Sequence, residues 1–211
     1  DLVDQTQILR TTGKSVSRFY KVAQGNKPLR VTLAWTDPPG PTVGNSFVND
    51  LDLEVTAGGR VFKGNVFSGG HSVTGGTADP RNNVENVFLP PGIKGPVKVR
   101  VIGSNIAGDG VPGNSATADQ DYALVVSNVT APVDNLPVLI DTRDTMTPAG
   151  DGDRFLEPGE AFTLGVKLKN VGSATATSVS GVLSSLDGKV SILQPNGAWP
   201  NSRCATARPT R

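Results

Sequence analysis

The chain has 211 residues, 36% hydrophobic but only 5% aromatic, enough for one large or two small aliphatic cores. Its formal net charge of +1, with no basic stripe, argues against nucleic acid or an anionic membrane surface as the main partner, because both are held by clustered Lys and Arg. No apolar run of about 18 residues occurs, and a single cysteine, Cys204, cannot form an internal disulfide or a cysteine-based zinc site.

With 25 Gly and 16 Pro, the apolar segments are short and show no sustained 3.6-residue period, so the economical class is all-β. The expected architecture is a jelly-roll β-sandwich over 1–130 followed by a smaller, immunoglobulin-like β-sandwich over 131–211. The chain opens on Asp1 with neither Met nor a signal peptide, which reads as an excised piece of something longer.

Asp1 to about Thr12 carries little pattern. Ser15 to Val22 reads as a first strand with Phe19 and Tyr20 as bulk, and Leu29, Val31, Leu33 and Trp35 then alternate cleanly with Arg30, Thr32 and Ala34. Asp37-Pro38-Pro39-Gly40 stops that strand. Over Asn49 to Val55, the aliphatics Leu51, Leu53 and Val55 alternate with Asp50, Asp52 and Glu54, so a strand here puts a core face on one side and three carboxylates on the other. Such a row of acids needs either full solvation or a cation.

Ala57-Gly58-Gly59-Arg60 predicts a tight hairpin into Val61 and Phe62. A Gly-rich loop over 68–78 holds His71, the only histidine, and Asn83 to Leu89 reads as a further strand. Val97 to Val101 and Tyr122 to Val126 alternate likewise, giving about eight strands at roughly ten-residue spacing. Beyond a linker at Pro132 to Pro137, strands are expected at Val138 to Asp141, Phe162 to Leu168, Val179 to Leu183 and Val190 to Leu193. Asn201 to Arg211 carries no pattern.

Catalysis finds little support in these residues. His71 lies between Gly70 and Ser72, where nothing fixes an imidazole tautomer, and no Gly-x-Ser-x-Gly elbow is present. Gly108, Gly110 and Gly113 match a dinucleotide fingerprint, but Pro112 and the polar residues after it do not start a helix. Asn128-Val129-Thr130 fits the glycosylation sequon, a weak motif.

Calcium suits the acids better, since it takes six to eight oxygens in flexible geometry and accepts ligands from loops. The first candidate set joins Asp50 and Asp52 to Asp79, Asn83 and Glu85, provided that Val84, Asn86 and Phe88 face inward and leave Asn83 and Glu85 on the outer side. A second set, Asp151, Asp153, Glu157 and Glu160, lies on a glycine-punctuated loop before a strand. For both sets the alternative is a solvated acidic surface.

Leu33-Ala34-Trp35-Thr36-Asp37-Pro38, Val48-Asn49-Asp50-Leu51-Asp52-Leu53 and Arg81-Asn82-Asn83-Val84-Glu85-Asn86-Val87 occur in one order and spacing. Together they make 1–129 resemble the C-terminal β-barrel of bacterial secreted subtilisin-like serine proteases of the peptidase S8 family, a jelly roll related to the P domain of proprotein convertases. The stretch 151–183, with Asp-Gly-Asp, Glu-Pro-Gly-Glu and Lys-Asn-Val-Gly, is similar to immunoglobulin-like modules of secreted bacterial hydrolases.

The resemblance implies no catalytic residue here, because the family's serine motif and histidine region are missing. What it implies is an extracellular accessory region that packs on and stabilises an upstream catalytic domain, helps orient a protein or polysaccharide substrate, and binds calcium at Asp50, Asp52, Asn83 and Glu85. The alternative reading is a carbohydrate- or surface-binding adhesion module, for which only Trp35 and Trp199 are available as tryptophan platforms. Association into a homo-oligomer through an unpaired strand edge is a third expectation.

Overall fold

The computed structural model describes residues 1–44, 46–148, 155, 157–185 and 187–203. It is all-β, with thirteen strands and no helix among the described residues. Two compact units are formed, Asp1–Leu136 and Pro137–Arg211.

The first unit contains β1 (Leu2–Leu9), β2 (Ser15–Lys21), β3 (Leu29–Ala34), β4 (Asp50–Ala57), β5 (Arg60–Ser68), β6 (His71–Thr74), β7 (Val84–Leu89), β8 (Pro96–Asn105) and β9 (Gln120–Ser127). They make two antiparallel sheets, one in the order β1-β9-β3-β7 and the other β2-β8-β4-β5-β6. The period-2 alternation sets which side chains meet between the sheets. Leu29, Val31 and Leu33 of β3, Leu51, Leu53 and Val55 of β4, Val97, Val99 and Val101 of β8 and Tyr122, Leu124 and Val126 of β9 are all 2% exposed or less. Each buried aliphatic contributes about 1.5–3 kcal/mol, so these four strands form the structural centre.

Two hairpins turn on paired glycines. Gly58 and Gly59 (φ 55° and 75°) join β4 to β5, and Gly69 and Gly70 (φ 57° and 80°) join β5 to β6. Both residues of each turn are left-handed, the geometry that matches the twist of the flanking strands and that glycine adopts without strain. The second hairpin corrects the expected loop over 68–78: His71 opens the short strand β6 and remains exposed. Strand β1 is likewise absent from the sequence reading. Polar Gln5 and Gln7 stand between its buried ends Val3 and Leu9, and the ladder to β9 shifts between Asp4 and Ile8, where Gln5 takes φ 52°.

One phase is also corrected. In β7 the buried residues are Glu85, Val87 and Leu89, while Val84, Asn86 and Phe88 lie on the outer side, the reverse of the alternation expected. Val31 opposite Val87 and Leu29 opposite Leu89 fix that register from the fully buried face of β3. A one-residue slip would expose both aliphatics, so Glu85 is carried inward.

The second unit holds β10 (Leu139–Pro148) paired with β11 (Phe162–Asn170), and β12 (Val179–Val182) paired with β13 (Asn196–Trp199). The strand expected at Val190 to Leu193 is not formed. Val190 N–H closes a turn on the Asp187 carbonyl, Leu193 is 87% exposed, and β12 pairs instead with the segment ending in Trp199, whose indole N–H donates to the Val166 carbonyl at 3.0 Å.

Candidate functional site

Strand β4 pairs with β8 along its whole length, but with β5 only from Glu54 to Ala57. Beyond Lys63, β5 peels away at Gly64 and at Asn65, which takes φ 58°. The peel leaves the first half of β4 without a neighbour on that side, and the inward Glu85 of β7 fills the gap. Leu53 N–H donates to Glu85 Oε2 at 2.6 Å. A Cβ on Gly64 would stand 2.1 Å from that oxygen and within 2.8 Å of the Glu85 Cδ and Cβ, so glycine is what admits the carboxyl.

Asn65 fastens the bulge to its surroundings. Its Nδ2 donates to Asp79 Oδ2 at 2.8 Å and to the Val84 carbonyl at 2.9 Å, while its Oδ1 accepts Asn86 N–H at 3.0 Å. Asp79 also accepts the backbone N–H groups of Arg81 and Asn82 and the Asn82 side-chain amide at 2.6 Å. Partial burial opposes ionisation of Asp79, but these hydrogen bonds outweigh it and hold the carboxyl below the usual carboxylate range.

Asp50 and Asp52 lie on the outer side of β4, half-buried, as their alternation with Leu51 and Leu53 predicts. Ser104 Oγ donates to Asp52 Oδ2. Oδ1 of Asp50, Oδ1 of Asp52 and Oε1 of Glu85 are buried and have no hydrogen-bond partner. Burial, reinforced by Asp52, Asp79 and Asp37, pushes the Asp50 carboxyl up to about 6. Burial also dominates at Glu85, where the Leu53 N–H opposes it and Asp52, Asp79 and Asp50 add to it, pushing the carboxyl up to about 8. The described ion pairs, Arg18 with Asp1 and Arg100 with Glu54, involve none of these acids.

Asp50, Asp52, Asp79 and Glu85 thus share one end of the sandwich and act on one another electrostatically. Asn83 takes a different part: its Nδ2 donates to the Trp35 carbonyl and its own carbonyl accepts Trp35 N–H, extending the β3–β7 ladder. Among the described residues, no group of three or more Asp, Glu, His or Cys side chains is arranged to hold a metal ion. A cation at this end would therefore draw on fewer than three of these carboxyls as they stand, with water, amide or backbone oxygens completing its shell.

The second acidic set is partly outside the described residues, which exclude Asp151 and Asp153. Glu157 and Glu160 form a turn, in which Glu160 N–H donates to the Glu157 carbonyl at 3.1 Å and Glu157 N–H to Glu160 Oε2 at 2.9 Å.

Sequence reasoning missed Gly64, Asn65, Ser104 and Asp37. A signal existed for the first two, since an isolated Gly followed by Asn inside a strand pattern marks a bulge. Ser104 and Asp37 reach the site only through sheet register and the loop before β4, for which the local sequence holds no sign. Compared with protein-family models and with characterised proteins, the chain has no match.

Proposed function

We propose that this chain is a non-catalytic, calcium-assisted accessory region of a secreted subtilisin-like serine endopeptidase, stabilising the catalytic domain of its parent protein. The observation that carries the calcium part is the trio of orphaned buried oxygens on Asp50, Asp52 and Glu85. Buried polar atoms are almost always paired, and clustered carboxylates are tolerable when a hard cation accepts their spare lone pairs. Two carboxyls of the set Asp50, Asp52 and Glu85 would hold the ion as they stand, and its positive charge offsets the repulsion among all three.

The strand order supports the jelly-roll reading. The sheet orders are 1-9-3-7 and 2-8-4-5-6; with β6 set aside as an added edge hairpin strand, 1-9-3-7 against 2-8-4-5 is the arrangement that two nested Greek keys produce. The accessory role itself rests on the three motifs shared with the subtilisin-like family. The adhesion alternative draws less support, because Trp35 is 6% exposed and the Trp199 indole N–H is committed to Val166.

The test is a thermal melt of the whole chain in excess calcium and in excess chelator. A ligand bound only by the folded state stabilises by about 2.7 kcal/mol at a hundred times its Kd, worth roughly 5–10 °C for a chain of this size. We expect an upward shift in calcium that Asp52→Ala removes. No shift would eliminate the cation, and peptide hydrolysis by the pure chain, abolished by one Ser substitution, would overturn the accessory role.

A further inference from the structure

The two sheets of the first unit differ on their outer faces. On the five-stranded sheet the outer rows across β2, β8 and β4 carry charge: Arg100 stands between Ser17 and Glu54, Lys98 between Phe19 and Thr56, and Asp52 beside Ile102. On the four-stranded sheet the two central rows read Leu2, Val125, Thr32, Asn86 and Asp4, Ala123, Ala34, Val84. Their one charge is Asp4 at the edge. Thr32 Oγ1 donates to Asn86 Oδ1 at 2.8 Å, so even the polar pair is satisfied within the sheet. Leu2 is 65% exposed, Val125 46% and Val84 42%.

An antiparallel sheet with one face on a core normally presents polar residues on the other, whereas this face exposes Leu2, Val125 and Val84. Apart from Asp4 at the β1 edge, charge appears only in the flanking rows. Ile8 and Asp121 lie on one side of the apolar rows, and Ser127, Arg30 and Phe88 on the other, with the Arg30 guanidinium 4.7 Å from the Phe88 ring centre.

We propose that the outer face of the β1-β9-β3-β7 sheet binds a second copy of this chain, sheet against sheet, about a two-fold axis. An axis in the plane of contact, crossing the strands between the two apolar rows, exchanges those rows. It also lays the row of Asp121 over the partner row that holds Arg30. Because β9 and β3 are adjacent, the acid and the guanidinium come within about one strand spacing, ~4.8 Å, of facing each other, and both side chains reach into the ~10 Å gap between packed sheets. Two Asp121–Arg30 pairs thus bracket a centre whose one charge, Asp4, stays at the β1 edge. The arrangement is self-complementary, as a two-fold contact must be.

The contact is small. Four strands and four rows outline roughly 500 Å² per copy, about 1,000 Å² for the pair, at the low end of specific interfaces. A contact this small belongs with weak encounters, and a dissociation constant on the order of 0.1 mM is the value the experiment is set to bracket. The dimer requires neither the proposed cation nor the proposed parent enzyme.

Sedimentation equilibrium of the full chain between about 10 μM and 1 mM spans that constant and tests the assignment, with thermal melts confirming that each variant folds. The mass should climb from monomer towards dimer. Arg30→Asp and Asp121→Arg should each raise the dissociation constant about tenfold or more, and the two together should restore it, because the swapped charges again oppose. A monomeric mass throughout, association unchanged in both single variants, or losses that the double variant fails to rescue would each overturn the proposal.

Discussion

Asn49 and Asp50 are consecutive residues at the start of β4, yet their polar atoms meet opposite outcomes. The Asn49 amide donates to the carbonyls of Gly108 and Asp119 and to Gln120 Oε1, and its oxygen accepts the N–H groups of Ala107 and Gly108. The Asp37 carboxylate takes the N–H groups of Val48 and Asn49, each at 2.7 Å, while the Gln120 amide donates to the carbonyls of Thr36 and Asp121. Everything there is paired. One residue later, Asp50, Asp52 and Glu85 each leave a buried oxygen without a donor. That contrast is what the proposed cation would resolve, and in its absence a proton would.

The largest way to break the comparison is at its closed side. Asn49→Ala strips a partner from five groups at once. The Gly108 and Asp119 carbonyls keep a second donor, but Gln120 Oε1 and the N–H groups of Ala107 and Gly108 lose their partner, at about 1–3 kcal/mol for each orphaned group. The variant should lose at least about 3 kcal/mol, equally in calcium and in chelator, as read from denaturant midpoints at constant m. A calcium-dependent loss would mean that the two networks are one.

Gly64→Ala comes next. Its new Cβ meets the Glu85 carboxyl and also Glu85 Cβ at 2.8 Å, so rotating the far end of the side chain is not enough. Strain of this kind costs roughly 1–3 kcal/mol. The loss should be accompanied by release of the Leu53 amide, visible as faster hydrogen exchange at Leu53.

The open side has a pH signature. Glu85 is raised to about 8 and Asp50 to about 6, so the folded state holds protons that the unfolded chain releases near its ordinary carboxylate range. Their contribution is fully present at acid pH and fades as pH rises, through about 6 for Asp50 and about 8 for Glu85. In chelator the melting temperature should therefore fall between pH 5 and 8. Glu85→Gln, which keeps an acceptor for Leu53, should flatten the fall above pH 6. A melting temperature that instead rises over this window in chelator would refute the protonated reading.

Much of this was legible because alternation is a local signal. Leu51, Leu53 and Val55 against Asp50, Asp52 and Glu54 fixed both faces of β4, and Gly58-Gly59 fixed its hairpin. Gly69-Gly70 offered the same turn chemistry, but only Ser72 of the short β6 is buried, so no apolar alternation flagged the strand. Glu85 was illegible for another reason. Val84, Asn86 and Phe88 alternate as plausibly as Glu85, Val87 and Leu89, and only the pairing with β3, more than fifty residues away in sequence, chooses between them. The short-range pattern marked the acids, whereas the depth of their oxygens came from where β5 leaves the sheet.

Glu54 offers the smallest and sharpest test, because it shares a strand and a face with Asp50 and Asp52 but has its cation. Arg100 Nη1 reaches Glu54 Oε2 at 3.0 Å, and Arg100 Nε donates to Ser15 Oγ at 3.1 Å. Both partners are part-exposed, so the pair is worth at most about 1 kcal/mol and weakens with salt. Glu54→Gln should thus lower stability slightly, with a cost that shrinks further at high salt, and should leave the calcium-induced rise in melting temperature intact. Asp52→Asn, an equal change of charge two residues away, should abolish that rise. If the two substitutions acted alike, calcium would be responding to the summed charge of the face, and the orphaned oxygens of Asp50, Asp52 and Glu85 would have no special part in holding it.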